Sequence, residues 1–216
     1  MSVFTVHLVK TSVLKSLRAQ WFPPKSGDVP GLVHAESLQC MTLGSPMLSP
    51  KRFLFRQLMV FAQWESEEAI DVFLNENKLG KTLSKGWHVR MKFIRQWGYI
   101  SEFSIPKEPQ GDDRPEAPVV AVTLARMKMT QVPRFIKWGR PVEKLVKDDP
   151  ATTLSLASTR LPRTVSTFSI WKTQLDMVKM VHGKSKNERP KRHSEAMKER
   201  ERKDFHREFT TLRFEP

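Results

Sequence analysis

The chain has 216 residues, enough for one large domain or two small ones, and its formal net charge is +14. A hydrophobic content of 39% sets it apart from disordered chains, and the positive excess points to an anionic partner: nucleic acid, an anionic membrane surface or an acidic protein. The single cysteine, Cys40, excludes an internal disulfide and a cysteine-rich zinc site, and it suits a reducing cytoplasm.

Residues 4–9 read as a strand. No basic segment precedes them and no small-residue cleavage site follows, so they do not read as a signal peptide. A loop or broken helix rich in Pro, Gly and Ser comes next. Residues 57–64 are apolar on both faces and predict a buried strand. Ser66 followed by Glu67 and Glu68 suits the positive end of a helix, with Ala69, Val72, Phe73 and Leu79 at roughly helical spacing. A last strand of this half is expected over residues 88–103. No apolar run is long enough to span a bilayer.

Residues 105–118 carry four prolines, a glycine and many charges, which predicts a linker between a first module (1–104) and a second (119–216). The second half repeats the order of the first. A strand is expected over 119–126 and a helix over 132–146, with Phe135, Ile136, Val142, Leu145 and Val146 as its apolar stripe. A strand pair follows over 152–159 and 164–171, turning at Leu161-Pro162-Arg163. A helical stretch begins near Thr173, is interrupted between Gly183 and Pro190, and resumes to about Phe205. A closing strand runs over 206–214. Phe61-Ala62-Gln63-Trp64 and Phe168-Ser169-Ile170-Trp171 share Phe-x-x-Trp in the same slot, which supports duplication and places both tryptophans in a sheet–helix core. The predicted fold is α+β: two fused ferredoxin-like β-α-β-β-α-β modules whose antiparallel sheets pack face to face, with room for a cavity between the sheets.

The second half resembles the spheroidene monooxygenase family, carotenoid-oxidising enzymes with a tandem dimeric α/β-barrel fold. The resemblance rests on residues 118–126, Phe135, Trp138 and Asp149-Pro150. It is strongest at Val165-Ser166-Thr167-Phe168-Ser169-Ile170-Trp171, and continues at Met177, His193, Ala196, Phe205, Glu208 and Arg213-Phe214. The first half matches through Pro30-Gly31-Leu32 and the strand ending at Trp64. Two segments depart from the family pattern: Val33-His34-Ala35-Glu36, and Pro190-Lys191-Arg192 before His193.

No Gly-x-Ser-x-Gly, Walker loop, dinucleotide fingerprint or His-Glu-x-x-His is present. The resemblance implies a monooxygenase that oxidises an apolar, carotenoid- or isoprenoid-like substrate with haem, because amino acids do not supply the oxidant. It also implies His193 as the iron ligand. Ala196, Met197 and Arg200 share the helix face of His193 and could seat a macrocycle and a propionate. Arg126 could meet a propionate or polarise oxygen; an ordinary salt bridge is the alternative. His7 could point between the sheets, while His34, His88, His182 and His206 make no better case. The segment 184–207 mixes ten Lys and Arg residues with glutamates. That pattern reads as a solvated helix face or as a peripheral membrane dock for an enzyme with a lipophilic substrate. Other readings are a non-catalytic binding protein on the same scaffold, a nucleic-acid-binding protein (disfavoured by the lack of an aromatic RNA-recognition strand) and a homo-oligomer.

Overall fold

The computed structural model describes residues 2–46, 49–185 and 190–216. Its elements run β1 (Val3–Lys10), α1 (Val13–Trp21), β2 (Leu32–Met41), β3 (Phe53–Trp64), α2 (Glu67–Glu76), α3 (Gly80–Leu83) and β4 (Trp87–Tyr99). The second half continues with β5 (Val119–Met127), α4 (Val132–Asp148), β6 (Thr152–Arg160), β7 (Thr164–Trp171), α5 (Gln174–Val181), α6 (Arg192–Arg202) and β8 (His206–Glu215). Ser12, Ser66 and Thr173 cap α1, α2 and α5 by accepting a backbone N–H three residues on.

Each half is a β-α-β-β-α-β module. The strand order is β4-β1-β3-β2 in the first and β8-β5-β7-β6 in the second, the same order twice. The two sheets join along both edges, β2 to β6 and β4 to β8, into one closed antiparallel barrel. The β2–β6 seam is short, pairing only Gln39, Cys40 and Met41 with Thr159, Ser158 and Ala157.

Two parts of the sequence expectation change. The segment after β1 forms helix α1 and a full strand, β2. The strand escapes an apolar-pattern reading because its buried positions include Glu36, Ser37 and Gln39. The space between the sheets is also not a cavity. Alternation sends Phe4, Phe61, Phe93, Phe168 and Phe214 inward with Val120, Val122, Leu124 and Leu212, and together they fill the barrel. The 105–118 segment contains no helix or strand, but it is tied down. Ile105 packs on the barrel core, and the Gln110 and Gly111 N–H groups donate to the Phe93 carbonyl at 2.7 and 2.9 Å.

Two buried ion clusters join the modules. Arg52 of β2–β3 grips Glu143 of α4 in a bidentate pair, at 2.7 and 3.1 Å. At one barrel end Glu36, fully buried, accepts from Arg160 at 2.7 Å, from His34 at 3.2 Å and from Arg126.

The outer faces of the two sheets differ. In the first module Val3, Leu58, Val60 and Trp64 meet Ile70, Phe73, Leu74 and Leu83 in a closed apolar layer. His7 lies on this outer face with Thr5 and Val9, stacked on His88 with ring centroids 5.2 Å apart. Both its ring nitrogens are buried without a partner among the described residues, and burial pushes its pKa down to about 3. His7→Phe keeps the ring and removes two unsatisfied groups. It should therefore raise stability by about 1–3 kcal/mol, read as a higher urea midpoint.

Candidate functional site

The second module does not close its outer layer. Across one row of the sheet stand Thr211 of β8, Thr123 of β5 and Thr167 of β7, and Ala121 and Ser169 lie on the same face. These short side chains give the sheet a low floor. At one end α4 and α5 reach the sheet, where Leu145, Met177 and Met180 pack with Val119 and Trp171, but over the threonine row the layer stays open, and no residue of α6 is buried. A cavity of about 510 Å3 remains between this floor and α4, α5 and α6. That is within the range of sites for small molecules and cofactors.

The walls are apolar: Phe135, Trp138, Val142 and Val146 from α4, Met177 and Met180 from α5, Ala196 and Met197 from α6, and Phe205 and Phe209 at β8. Trp171 plugs one end, its indole donating to Ser169 Oγ at 2.9 Å. At the β4 edge Gly98 sits at φ +77°, where a Cβ would lie 2.1 Å from the Phe209 carbonyl oxygen, so only glycine lets β4 and β8 meet at this wall. A second apolar cavity of about 170 Å3 adjoins the first; both are lined by Thr123, Phe135, Thr167, His206 and Phe209.

Three histidines line the large cavity: His182, His193 and His206. His206 is the most firmly held. A register shift between Arg126 and Met127 puts it opposite Met127, on the helix-facing side of β8. Phe135, Phe205 and Phe209 surround its ring. Asp204 accepts from the His206 backbone N–H at 2.9 Å and lies 3.0 Å from its Nδ1. Burial would raise the Asp204 carboxyl, but the His206 N–H and the Arg200 charge outweigh it and hold the pKa low. Asp204 is thus ionised, so Nδ1 carries the proton and Nε2 keeps its lone pair. Nε2 is buried and has no partner among the described residues. Burial also pushes the His206 pKa down to about 4, so the ring is neutral at pH 7.

His193 is neutral too, its pKa lowered by burial against a hydrogen bond to the Val181 backbone. Met197 and Arg200 line the same cavity, so the structure brings His193, Met197 and Arg200 together. Arg200 lies over the Phe209 ring at 3.9 Å and 3.6 Å from Asp204. Arg126 is placed elsewhere. Strand parity turns it into the barrel end, where it pairs with Glu36 and, at 2.9 Å, with Glu102. Arg213, on the cavity side of β8, takes the position expected of an anion-facing cation. Its guanidinium lies over Trp97 at 4.2 Å and makes no hydrogen bond or ion pair among the described residues; burial and the nearby Arg95 charge lower its pKa against the pull of Asp113.

Sequence reasoning passed over His206 and Arg213. The available signal was Asp204-Phe205-His206, a carboxylate two residues before a strand histidine, and the alternation that puts Arg213 on the face of Thr211. In the basic segment 184–207, many charges are internally matched: Arg134 and Arg202 bind Glu199 at 2.7 and 2.8 Å, and Arg192 lies 3.4 Å from Glu195. Lys186 and Arg189 lie outside the described residues. Among the described residues no helix is long and apolar enough to cross a membrane.

No family model matches the chain, and no curated protein does. Among solved structures it is similar to a candidate monooxygenase from Fusobacterium nucleatum, with 9% identity over 99% of this chain and 91% of that one and a TM-score of 0.39. It is also similar to a ferredoxin-fold protein related to antibiotic biosynthesis monooxygenases from Listeria monocytogenes, with 10% identity over 100% and 96% of the two chains and a TM-score of 0.33. A heme-degrading enzyme from Listeria monocytogenes shows 10% identity over 98% and 99% and a TM-score of 0.30. The strand order seen in both halves, rather than these distant likenesses, defines the fold as a tandem ferredoxin-like barrel.

Proposed function

We propose that the chain holds haem in the cavity beneath α4–α6 and oxidises an apolar, carotenoid- or isoprenoid-like substrate there. The observation that carries this reading is His206: a neutral imidazole braced by Asp204, with Nε2 buried and unpartnered at an apolar cavity. Ligating histidines commonly donate their other ring N–H to a carboxylate in this way. Among the described residues no three His, Cys, Asp or Glu side chains gather to hold a bare ion. A metal held by one imidazole would bring its other ligands, as a porphyrin does.

The residues fit the group. His206 would hold the iron, with His193 as the second candidate donor, and Arg200 and Arg213 would face the propionates. Phe135, Phe209, Met177 and Met197 would enclose the ring and exclude water. Bound haem supplies the oxidising chemistry that side chains lack. The adjoining apolar cavity, which includes Phe53, Val132, Ile136 and Val165 in its wall, suits a hydrocarbon segment of substrate. The resemblance of residues 165–171 to the spheroidene monooxygenase family supports the same reading.

Haem titration of the purified chain, followed in the Soret region, tests the proposal. Wild type should develop a saturable, shifted band. Asp204→Asn should fold but bind haem about 10–100-fold more weakly, because the brace on Nδ1 is lost. A chain that develops no band at any haem concentration would sink the reading. The loaded protein, given reductant and oxygen, should then incorporate oxygen into a carotenoid detected by mass spectrometry. Binding without incorporation would leave a haem-binding protein that is not an oxygenase.

A further inference from the structure

Helix α1 has its apolar side facing out. Its buried residues are Ser16, Ala19 and Gln20. Its exposed side carries Val13, Leu14, Leu17 and Trp21, followed by Phe22; Leu14, Trp21 and Phe22 are 79%, 75% and 73% exposed. At 100° per residue the four helical positions span about 100° of circumference, a continuous stripe. Hydrogen bonds fix this orientation. Ser16 Oγ donates to Gln39 Oε1 at 3.1 Å, and Gln20 Nε2 donates to the same oxygen at 3.3 Å. Gln39 in turn donates to the Gln57 carbonyl at 2.9 Å. Turning the stripe inward would break this buried network, so the apolar side is held toward solvent.

Arg18 is exposed at the edge of the stripe, about 40° beyond Leu14, Lys15 is exposed further round the helix, Lys10 and Lys25 flank the helix, and α1 itself contains no acidic residue. An apolar stripe of this kind on a soluble surface marks an interaction site. We propose that α1 docks the protein on an anionic lipid bilayer, lying in the interface with Leu14, Leu17, Trp21 and Phe22 at the headgroup boundary and Arg18 on acidic headgroups. Charge complementarity selects this occupant. A bilayer with anionic lipid matches both the stripe and its cations, whereas two copies of a +14 chain meeting through α1 would set Lys15 and Arg18 against their like. The docking does not depend on haem; if the substrate is apolar, it would place the protein where that substrate dissolves.

Co-sedimentation of the full chain with phosphatidylcholine vesicles, with and without phosphatidylserine, tests this. Wild type should bind the anionic vesicles, and high salt should weaken binding. The double variant Leu14→Gln/Trp21→Gln should bind at least about tenfold more weakly, with its thermal midpoint retained because both side chains are exposed. Lys15→Glu/Arg18→Glu should lose the preference for phosphatidylserine. The proposal is overturned if wild type ignores anionic vesicles or if the α1 variants bind as wild type does. It is equally overturned if binding is lost instead in Lys191→Glu/Lys198→Glu, which would place docking on α6. Light scattering that shows a dimer abolished by Leu14→Gln/Trp21→Gln would reassign the stripe to self-association. A chain that develops no Soret band at any haem concentration yet still binds vesicles would sustain the docking while ending the haem reading.

Discussion

Replacing His206 by alanine should weaken haem binding more than about 100-fold, beyond the effect of altering Asp204, because it removes the donor and not its brace. Nε2 is the buried, unpartnered nitrogen of a neutral ring. Loss of the imidazole also leaves a void among Phe135, Phe205 and Phe209, so unfolding must be separated from loss of ligation. Free imidazole can do this: added to a folded His206→Ala chain it should restore a Soret band, and it would not rescue a collapsed site. His193→Ala should keep the band with a smaller loss of affinity. The reverse pattern, with the band lost only in His193→Ala, would move the iron to α6. Retention of the wild-type spectrum in both variants would exclude both histidines.

Glu36→Ala should cost about 3–5 kcal/mol of stability, because it strands Arg160 and leaves Arg126 only the more exposed Glu102 at the closed end of the barrel. A domain of this size stands only about 5–15 kcal/mol above its unfolded state, so a fall in Tm of about 6–20 °C is expected by calorimetry. The effect should have a definite pH dependence. Burial alone would raise the Glu36 carboxyl. The hydrogen bond from His34 and the charges of Arg126 and Arg160 outweigh it and hold the pKa below the ordinary range. A depressed acid stabilises the fold fully above its unfolded value, about 4.3, and the contribution is lost as pH falls through the lower folded value. The wild-type and Glu36→Ala midpoints should therefore converge in acid and separate above about pH 5. A constant separation across that range would show that the carboxylate charge is not what holds the cluster. Replacing the whole cluster with apolar residues of matching volume should be far milder than the single change, since no charge is then stranded.

Much of the architecture was legible in the order of elements. The repeated strand–helix pattern, the Phe-x-x-Trp pair and the helix start at Ser66 are local features, and local features survive into the fold. Trp64 and Trp171 occupy matching positions, each 1% exposed in a sheet–helix layer. β2 was not legible, because Glu36, Ser37 and Gln39 are buried by partners far away in sequence. α1 was obscure for a related reason: its apolar residues face out and its polar ones face a glutamine on β2.

The candidate site was half legible. A helix face carrying His193, Met197 and Arg200 follows from spacing within one segment, and those three do line one cavity. Arg126 and Arg213 look alike as strand arginines. Parity sends one into the barrel end and the other to the cavity, and parity is settled only by which strand pairs with which. The value of His206 lies in a buried nitrogen without a partner, a property of its surroundings and not of its residue type.

Two ferredoxin-like modules, all their strands but β2, all their main helices but α1, and a strong positive charge are written in the sequence, because periodicity, capping and composition act over a few residues at a time. Tertiary structure alone decided where space was left. Phenylalanines from both modules fill the barrel, while the short side chains of Thr123, Thr167 and Thr211 leave space beneath α4–α6. Whether a layer closes depends on the summed size of side chains brought together from distant segments, and no single segment records that sum.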